Sequence, residues 1–465
     1  VSRVLQAYRF ALDPNNVQAA NLNRHAGARR YAFNWGLAFV KAALGQREAE
    51  KSYGLSGDDL TPVPWTLPAL RLRWNQIKNG IAPWWAGCSK EAFSAGLADL
   101  ANALKNFTDS KKGKCKGGKV GFPRFKKRGK ARDSFRYTTG SYGPCGELHV
   151  KLPRIGPVKV HEPMGALTSR LVDGRARLGG ATVSRTAGRW FVSFTVETER
   201  EIPDTPSARQ VRGGVVGIDL GVKHLAVLST GEKVPNPKHA ARAEKELRRT
   251  SRAYARSQPG SNGRAKLAAE LAKQHAHTAN QRRDGLHKLT TELARTHRTV
   301  VIEDLNVTGM VRNRHLAKAV FDVGMGELRR QLEYKCGRTV RNPKTGTDVY
   351  VPGWHGAHLH VADRWYPSSK TCSGCGWRNP SLTLSDRTFT CKRCGLVIDR
   401  DENAAINLRR LVDREYIGDV KTARGADRKT SALAVPARRQ VAAKREPGTA
   451  RADQTGGASP RGEAA

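Results

Sequence analysis

The sequence predicts a multidomain protein, part α/β and part β. Three observations predict it. Apolar residues alternate with a period of two between about 146 and 200, strands followed by helices run from 213 to about 410, and two Cys-x-x-Cys pairs stand inside that second stretch. The 465 residues suffice for about two to four domains.

In chain order, VSRVLQAYRFAL reads as a strand and lacks the apolar core and cleavage site of a signal peptide. Asp13-Pro14 predicts a helix start, with Asp as N-cap and Pro at the first helical position. A second helix is predicted after Ser89. Its stripe of Phe93, Leu97, Leu100, Leu104 and Phe107 faces a core, leaving Lys90 and Ser94, one turn apart, on the polar flank. Residues 110–136 are dense in Lys, Arg and Gly with interleaved Phe, which suits phosphate contacts and base stacking. Within them GKCKGGKV matches the phosphate-loop pattern, but Val120 stands where a hydroxyl must ligate Mg²⁺ and no buried strand precedes it, which excludes a nucleotide triphosphate site. Trp190, Val192, Phe194 and Val196 alternate after an Ala187-Gly188 turn, as do Leu148, Val150 and Leu152. They predict an antiparallel module, a small barrel that also recruits the opening strand. Residues 201–212 form a polar linker. GGVVGIDLG and HLAVLS predict a buried hairpin, 236–297 a long basic helical stretch, THRTVVIEDL a strand, 325–335 a helix and HLHVADRWY a further strand. From about 411 the chain is rich in Ala, Arg, Gly, Pro and Ser without periodicity, which predicts disorder.

The chain has 82 Lys+Arg against 41 Asp+Glu, a net charge of +41. So large a surplus calls for a polyanionic partner, and nucleic acid is the obvious one. No run of about 18 apolar residues occurs, which excludes a membrane-spanning helix. Of eight cysteines, Cys88, Cys115, Cys145 and Cys336 are scattered without common spacing and read as reduced thiols.

The other four carry chemistry. Cys372-Ser-Gly-Cys375, fifteen residues, then Cys391-Lys-Arg-Cys394 predicts two tight knuckles around one tetrahedral Zn²⁺. Four thiolates close the shell, so this zinc is structural. The second constellation is acidic. Asp219 ends a β-branched run, Glu303 and Asp304 end TVVIED, and Asp399 and Asp401 lie in VIDRDENAAIN. Carboxylates in apolar strand contexts are costly unless paired or on a metal. Three that converge would bind one or two Mg²⁺, and an ion pair can cleave a phosphodiester.

GIDLGVKHLAVLSTG, VVIEDLNVTGM, FDVGMGELRRQLEYK, YPSSKTCSGCG and DRDENAAINLRR, with GFPRFKKRGKARDSFRY further back, together resemble TnpB, the RNA-guided nuclease of insertion-sequence transposons, and equally its descendants, the miniature type V CRISPR effectors. The resemblance covers roughly residues 3–410. It implies a RuvC-like nuclease domain of RNase H fold (206–368 and 396–411) interrupted by a zinc ribbon (369–395). It further implies a wedge β-barrel, OB-like (1–12 and 110–205), a helical recognition insert (13–109) and a disordered tail (412–465). Asp219, Glu303 and Asp401 match the catalytic acids that hold two Mg²⁺, and Asp304 and Asp399 become supporting or surface acids. Lys90, with Ser94 beside it, would read a short duplex DNA motif, Thr138 or Thr139 contributing from the wedge. The implied partners are guide RNA, target double-stranded DNA and the RNA–DNA heteroduplex, with no membrane, in a prokaryotic cytoplasm at the nucleoid. A non-cleaving RNA-guided repressor and a DNA transposase are the competing readings. The intact acidic triad disfavours the first and the ribbon the second.

Overall fold

The structure is a computed structural model that describes residues 2–423 apart from 115, 116, 343, 344 and 384, with side chains to residue 412. Two units divide at Asp413, and the account below concerns the first, Val1–Asp413.

The chain opens with β1 (Ser2–Asp13) and continues through helices α1 (Asn16–Ser52), α2 (Leu67–Ile81) and α3 (Lys90–Lys111). The first helix starts later than Asp13-Pro14 predicts. Asp13 stays in the strand, paired with Lys159, and Asn15 caps the helix in a reciprocal box with Gln18. Ser89 caps α3 as expected, and Phe93, Leu97, Leu100 and Leu104 are buried. Strands β2 (Ser134–Tyr137), β3 (Gly143–Pro144), β4 (His149–Leu152) and β5 (Gly156–Val160), the short helix α4 (Gly165–Val172), and the hairpin β6 (Ala176–Thr186) with β7 (Arg189–Arg200) complete this half. Its sheet runs β2-β6-β7-β1-β5-β4-β3. The opening strand is indeed recruited, and it sits at the centre. Among the described residues no pairing joins β2 to β3, so the sequence's small barrel is not closed by hydrogen bonds, although its strands and the three helices share one core.

The second half begins with α5 (Ala208–Gly213), β8 (Val215–Asp219), β9 (His224–Leu228) and β10 (Lys233–Pro235), then α6 (His239–Arg256) and α7 (Asn262–Thr296). β11 (Thr299–Glu303), α8 (Val307–Met310), α9 (Ala317–Val323), α10 (Met325–Lys335), β12 (Gly337–Arg341), β13 (Asp348–Val351) and β14 (His358–Ala362) follow. The hairpin β15 (Thr388–Thr390) with β16 (Val397–Asp399) leads into α11 (Arg400–Ala423). The main sheet runs β10-β9-β8-β11-β14-β12-β13, and β8, β11, β14 and β12 are mutually parallel.

The central strands are apolar throughout because both faces are covered. Val216, Ile218, Val300 and Ile302 pack with Leu286, Leu293 and Leu328 of α7 and α10, while Val215 and Val301 pack with Leu408 of α11. α11 lies directly on β8 because residue 217 is glycine. A Cβ there would stand 2.0 Å from the Ala405 carbonyl oxygen and 2.5 Å from the Arg409 nitrogen. The helix continues to Ala423, past the 412 boundary of the expected tail, and residues 424–465 lie outside the described residues. Among the described residues no helix is long and apolar enough to cross a membrane.

Candidate active site

Asp219 and Glu303 end adjacent parallel strands in which Ile218 stands beside Ile302. Side chains alternate along a strand, so Asp219 shares a face with Val215 and Gly217, and Glu303 with Val301. That is the face α11 covers. Along α11, Asp401, Ala405 and Leu408 are spaced i, i+4, i+7 and share one side of the helix. Leu408 and Ala405 fix that side against β8, and Asp401 is carried toward the two strand ends. Asp219 registers the convergence. Burial first, then the charges of Glu303 and Asp401, push its carboxyl up to about 8. Only the four cysteines, among the described residues, bring three or more ligand atoms all within 4.8 Å of one another, so at least one carboxylate pair stands wider than that. Burial, with the neighbouring charges behind it, favours the protonated form of Asp219, and carboxylate oxygens so gathered are hard donors of the kind a divalent cation takes.

Several supporting groups carry no signal of their own in the sequence. The Ser368 hydroxyl donates to Glu303 Oε1. Arg400 donates to Asp401 Oδ1 from Nη2 at 2.9 Å and from Nε at 3.2 Å. Asp399 is more than a surface acid: its Oδ1 accepts the backbone N–H groups of Asp401 (2.9 Å) and Glu402 (3.3 Å), capping α11, and Lys233 holds its other oxygen at 2.8 Å. Against the upward push of burial, Lys233 and those amides keep Asp399 below the usual carboxylate range. Asp304 points away from the triad. Arg329 and Arg364 donate to it and hold it ionised.

The four cysteine sulfurs come together as their spacing predicts. Cys372 and Cys394 are 3.6 Å apart and Cys375 and Cys391 3.5 Å, close to the roughly 3.8 Å edge of a tetrahedron with Zn–S bonds of about 2.3 Å. Although burial pushes the other way, the amide N–H groups of Cys394 and Arg393 draw Cys391 down to about 6, toward the thiolate a metal needs. The residues fit one zinc ion. Phe389 forms the local core with Trp377, Leu382, Leu396 and Ile398. Because β16 pairs with β15, this hairpin extends to Asp399, past the expected 395 boundary, and enters α11 without a linker. Asn403 and Asn407, one turn apart on α11 and buried, grip its first knuckle. Asn403 donates to Thr371 O (2.7 Å) and accepts from Ser373 N–H (2.8 Å), and Asn407 donates to Ser368 O (2.8 Å) and Thr371 O (2.6 Å). The two asparagines of DENAAIN are therefore a clamp, joining α11 to the knuckle and to the serine on Glu303.

A separate cluster surrounds the start of α3. Lys90 is exposed there, Arg71 donates to Ser94 Oγ, and Glu91 accepts the hydroxyls of Thr138 (2.6 Å) and Thr139 (3.0 Å). All four expected DNA-contacting residues thus meet at one surface, but both threonine hydroxyls are engaged by Glu91, which the sequence did not single out. His25 sets this helix start: its Nε2 accepts the Ser89 N–H at 3.0 Å, and its Nδ1 lies 2.8 Å from Asn21 O. Of the scattered cysteines Cys88 and Cys336 are buried and Cys145 exposed, while Cys115 lies outside the described residues.

The chain is similar to several known proteins. Residues 193–314 match the OrfB_IS605 family, described as "Probable transposase", 349–408 match the "Cas12f1-like, TNB domain", and 2–49 match a "Helix-turn-helix domain". The last span holds one strand and one long helix here. A Mycobacterium tuberculosis protein named "Putative RNA-guided DNA endonuclease" is 36% identical over 456 residues, covering 92% of this chain and 91% of the relative. The Escherichia coli protein InsQ, of the same description, is 30% identical over 420 residues, covering 87% and 91%. A solved structure described as the Cas12f1–sgRNA–target DNA complex aligns over 88% of this chain and 99% of its own, at 14% identity and a TM-score of 0.42. With that identity sustained over nine-tenths of the M. tuberculosis relative, and with the acids and cysteines gathered as described, the chain belongs to the TnpB-like, OrfB_IS605 family.

Proposed function

We propose that the protein is an RNA-guided DNA endonuclease that hydrolyses target DNA beside a short flanking motif. The observation that carries this reading is the convergence of Asp219, Glu303 and Asp401 from two parallel strand ends and a helix start, registered by the raised Asp219. The relatives' names supply the guide and the substrate class. Asp219, Glu303 and Asp401 would hold two Mg²⁺, which when bound supply an activated water and a stabilised leaving oxygen. The chain's own part is to preorganise those oxygens: Ser368 fixes Glu303, Arg400 fixes Asp401, and the Asp399 cap sets where α11 begins. In this reading the main sheet and α11 are a RuvC-like domain of RNase H fold, the cysteine hairpin its zinc ribbon, and the first half a wedge with a helical recognition insert. Lys90, with Ser94, reads the flanking duplex, and Thr138 and Thr139 brace it through Glu91. Guide RNA and heteroduplex occupy the basic surface, since base pairing reads sequence and the protein reads shape and the flanking motif.

The test is cleavage of a guide-matched duplex by the purified protein–RNA complex in Mg²⁺. Asp219→Ala, Glu303→Ala and Asp401→Ala each abolish cutting while guide and target still bind, and Ca²⁺ permits binding without cutting. Wild-type protein that binds its target and never cuts it, across many flanking motifs, replaces this reading with a guided repressor.

A further inference from the structure

Beyond β14 the chain turns sharply through Asp363, Arg364 and Trp365. The Trp365 N–H donates to Asp363 Oδ1 at 2.8 Å, and the next residue, Tyr366, packs with Leu408 and donates to Asn407 O at 3.3 Å. The turn is anchored on both sides, yet the indole between the anchors is 84% exposed. It borders a surface cavity of about 440 Å³ lined also by Asp304, Arg329, Val361 and Arg364. The lining carries Arg329 and Arg364 against Asp304 and Asp363, balanced in charge, and both guanidinium groups pair with Asp304. The turn leaves the strand that neighbours Glu303: Ala362 stands level with Glu303 across the parallel pair, and Trp365 is three residues, about 10 Å of extended chain, beyond Ala362. A fixed, exposed aromatic face suits the stacking of one unstacked base.

We propose that Trp365, flanked by Arg364, is a stacking platform for one nucleobase of the DNA strand being cut, next to the phosphate at the Asp219–Glu303–Asp401 centre. The proposal rests on the nuclease reading. It assigns the DNA strand over the guide because a guide nucleotide seated this near the centre would itself be exposed to cleavage.

The experiment is a cycle between protein and substrate. Single abasic sites are walked along each strand around the cut, and single-turnover cleavage is measured for wild type, Trp365→Phe and Trp365→Ala complexes. At one position the abasic site slows the wild type about tenfold, in the range that base–aromatic stacking supplies. Trp365→Ala slows the intact substrate similarly and is insensitive to that abasic site, while Trp365→Phe restores most of the rate. Melting temperature and guide affinity do not change, since the side chain buries little. Additive losses at every position overturn the proposal, as does an equal loss of guide affinity, which would make the platform one for RNA. Should wild type bind target without cutting, the nuclease reading fails by itself. The platform is then judged by photocrosslinking 5-iodouracil-substituted target strands: a crosslink at Trp365 sustains it and none overturns it.

Discussion

Asp219 is folded against its own charge. Its carboxyl ionises near 3.8 in an unfolded chain and at about 8 here, so the cost of holding it is absent below pH 3.8, grows between the two values and is full above 8. Asp219→Asn should therefore stabilise the cation-free protein at pH 8, by about 1 °C in Tm for each kcal/mol relieved. Mg²⁺ should raise the melting temperature of wild type and leave the variant nearly unmoved. A variant less stable than wild type without cations would show that the three acids do not repel one another. Histidines work in the other direction. Burial first, with Arg295 and Arg200 behind it, draws His355 down to about 4, and burial lowers His25. The neutral form of His355 stabilises the fold fully above 6.5, and that contribution is lost as pH falls through about 4, His25 acting in the same direction. Melting temperature should drop across this window, less steeply for His355→Gln. The two bystander acids part company as well. Asp304→Ala should keep most cleavage, whereas Asp399→Ala removes the α11 cap, at about 0.5–2 kcal/mol, and should slow it.

One helix organises the site, and its contacts give the sharpest structural tests. Gly217→Ala drives a methyl into the α11 backbone and should cost about 1–3 kcal/mol or displace the helix, with cleavage falling further than stability alone explains. Asn407→Ala strands the Ser368 carbonyl, at about 1–3 kcal/mol, while Asn403 still donates to Thr371 O. Cys372→Ser should remove about one zinc per chain by metal analysis and lower cleavage through the hairpin's direct junction with α11. A zinc-free chain of full activity would separate the two sites. Much of this was legible beforehand. The cysteine spacing and the strand-end acids carry their chemistry in their residue types, and the Phe93–Leu104 stripe its burial. What was not legible depends on distant partners. Gly217 breaks a β-branched run visibly, but nothing local says that Ala405 fills the space. Asn403 and Asn407 read as ordinary helix-surface amides until the 368–373 segment arrives to meet them. Asp13-Pro14 and Asn15 both make plausible caps, and pairing of Asp13 with β5 decided between them.

Across the whole molecule the charge surplus of +41 is a statement about salt. Guide binding should weaken linearly in log–log against salt concentration, with a slope near −0.7 for each phosphate contact to single-stranded RNA. A flat response would mean the basic residues serve solubility alone. The order in which the chain delivers its parts has a temporal consequence. The first two acids sit on strands that the main sheet can assemble early, but Asp401 comes after the zinc hairpin and is held in place only once α11 lies across β8. Chains fold from the N-terminus as they leave the ribosome. The first half is therefore complete while the third acid is still being translated. In the nuclease reading, an emerging chain would be unable to cut until α11 has followed the zinc hairpin into place.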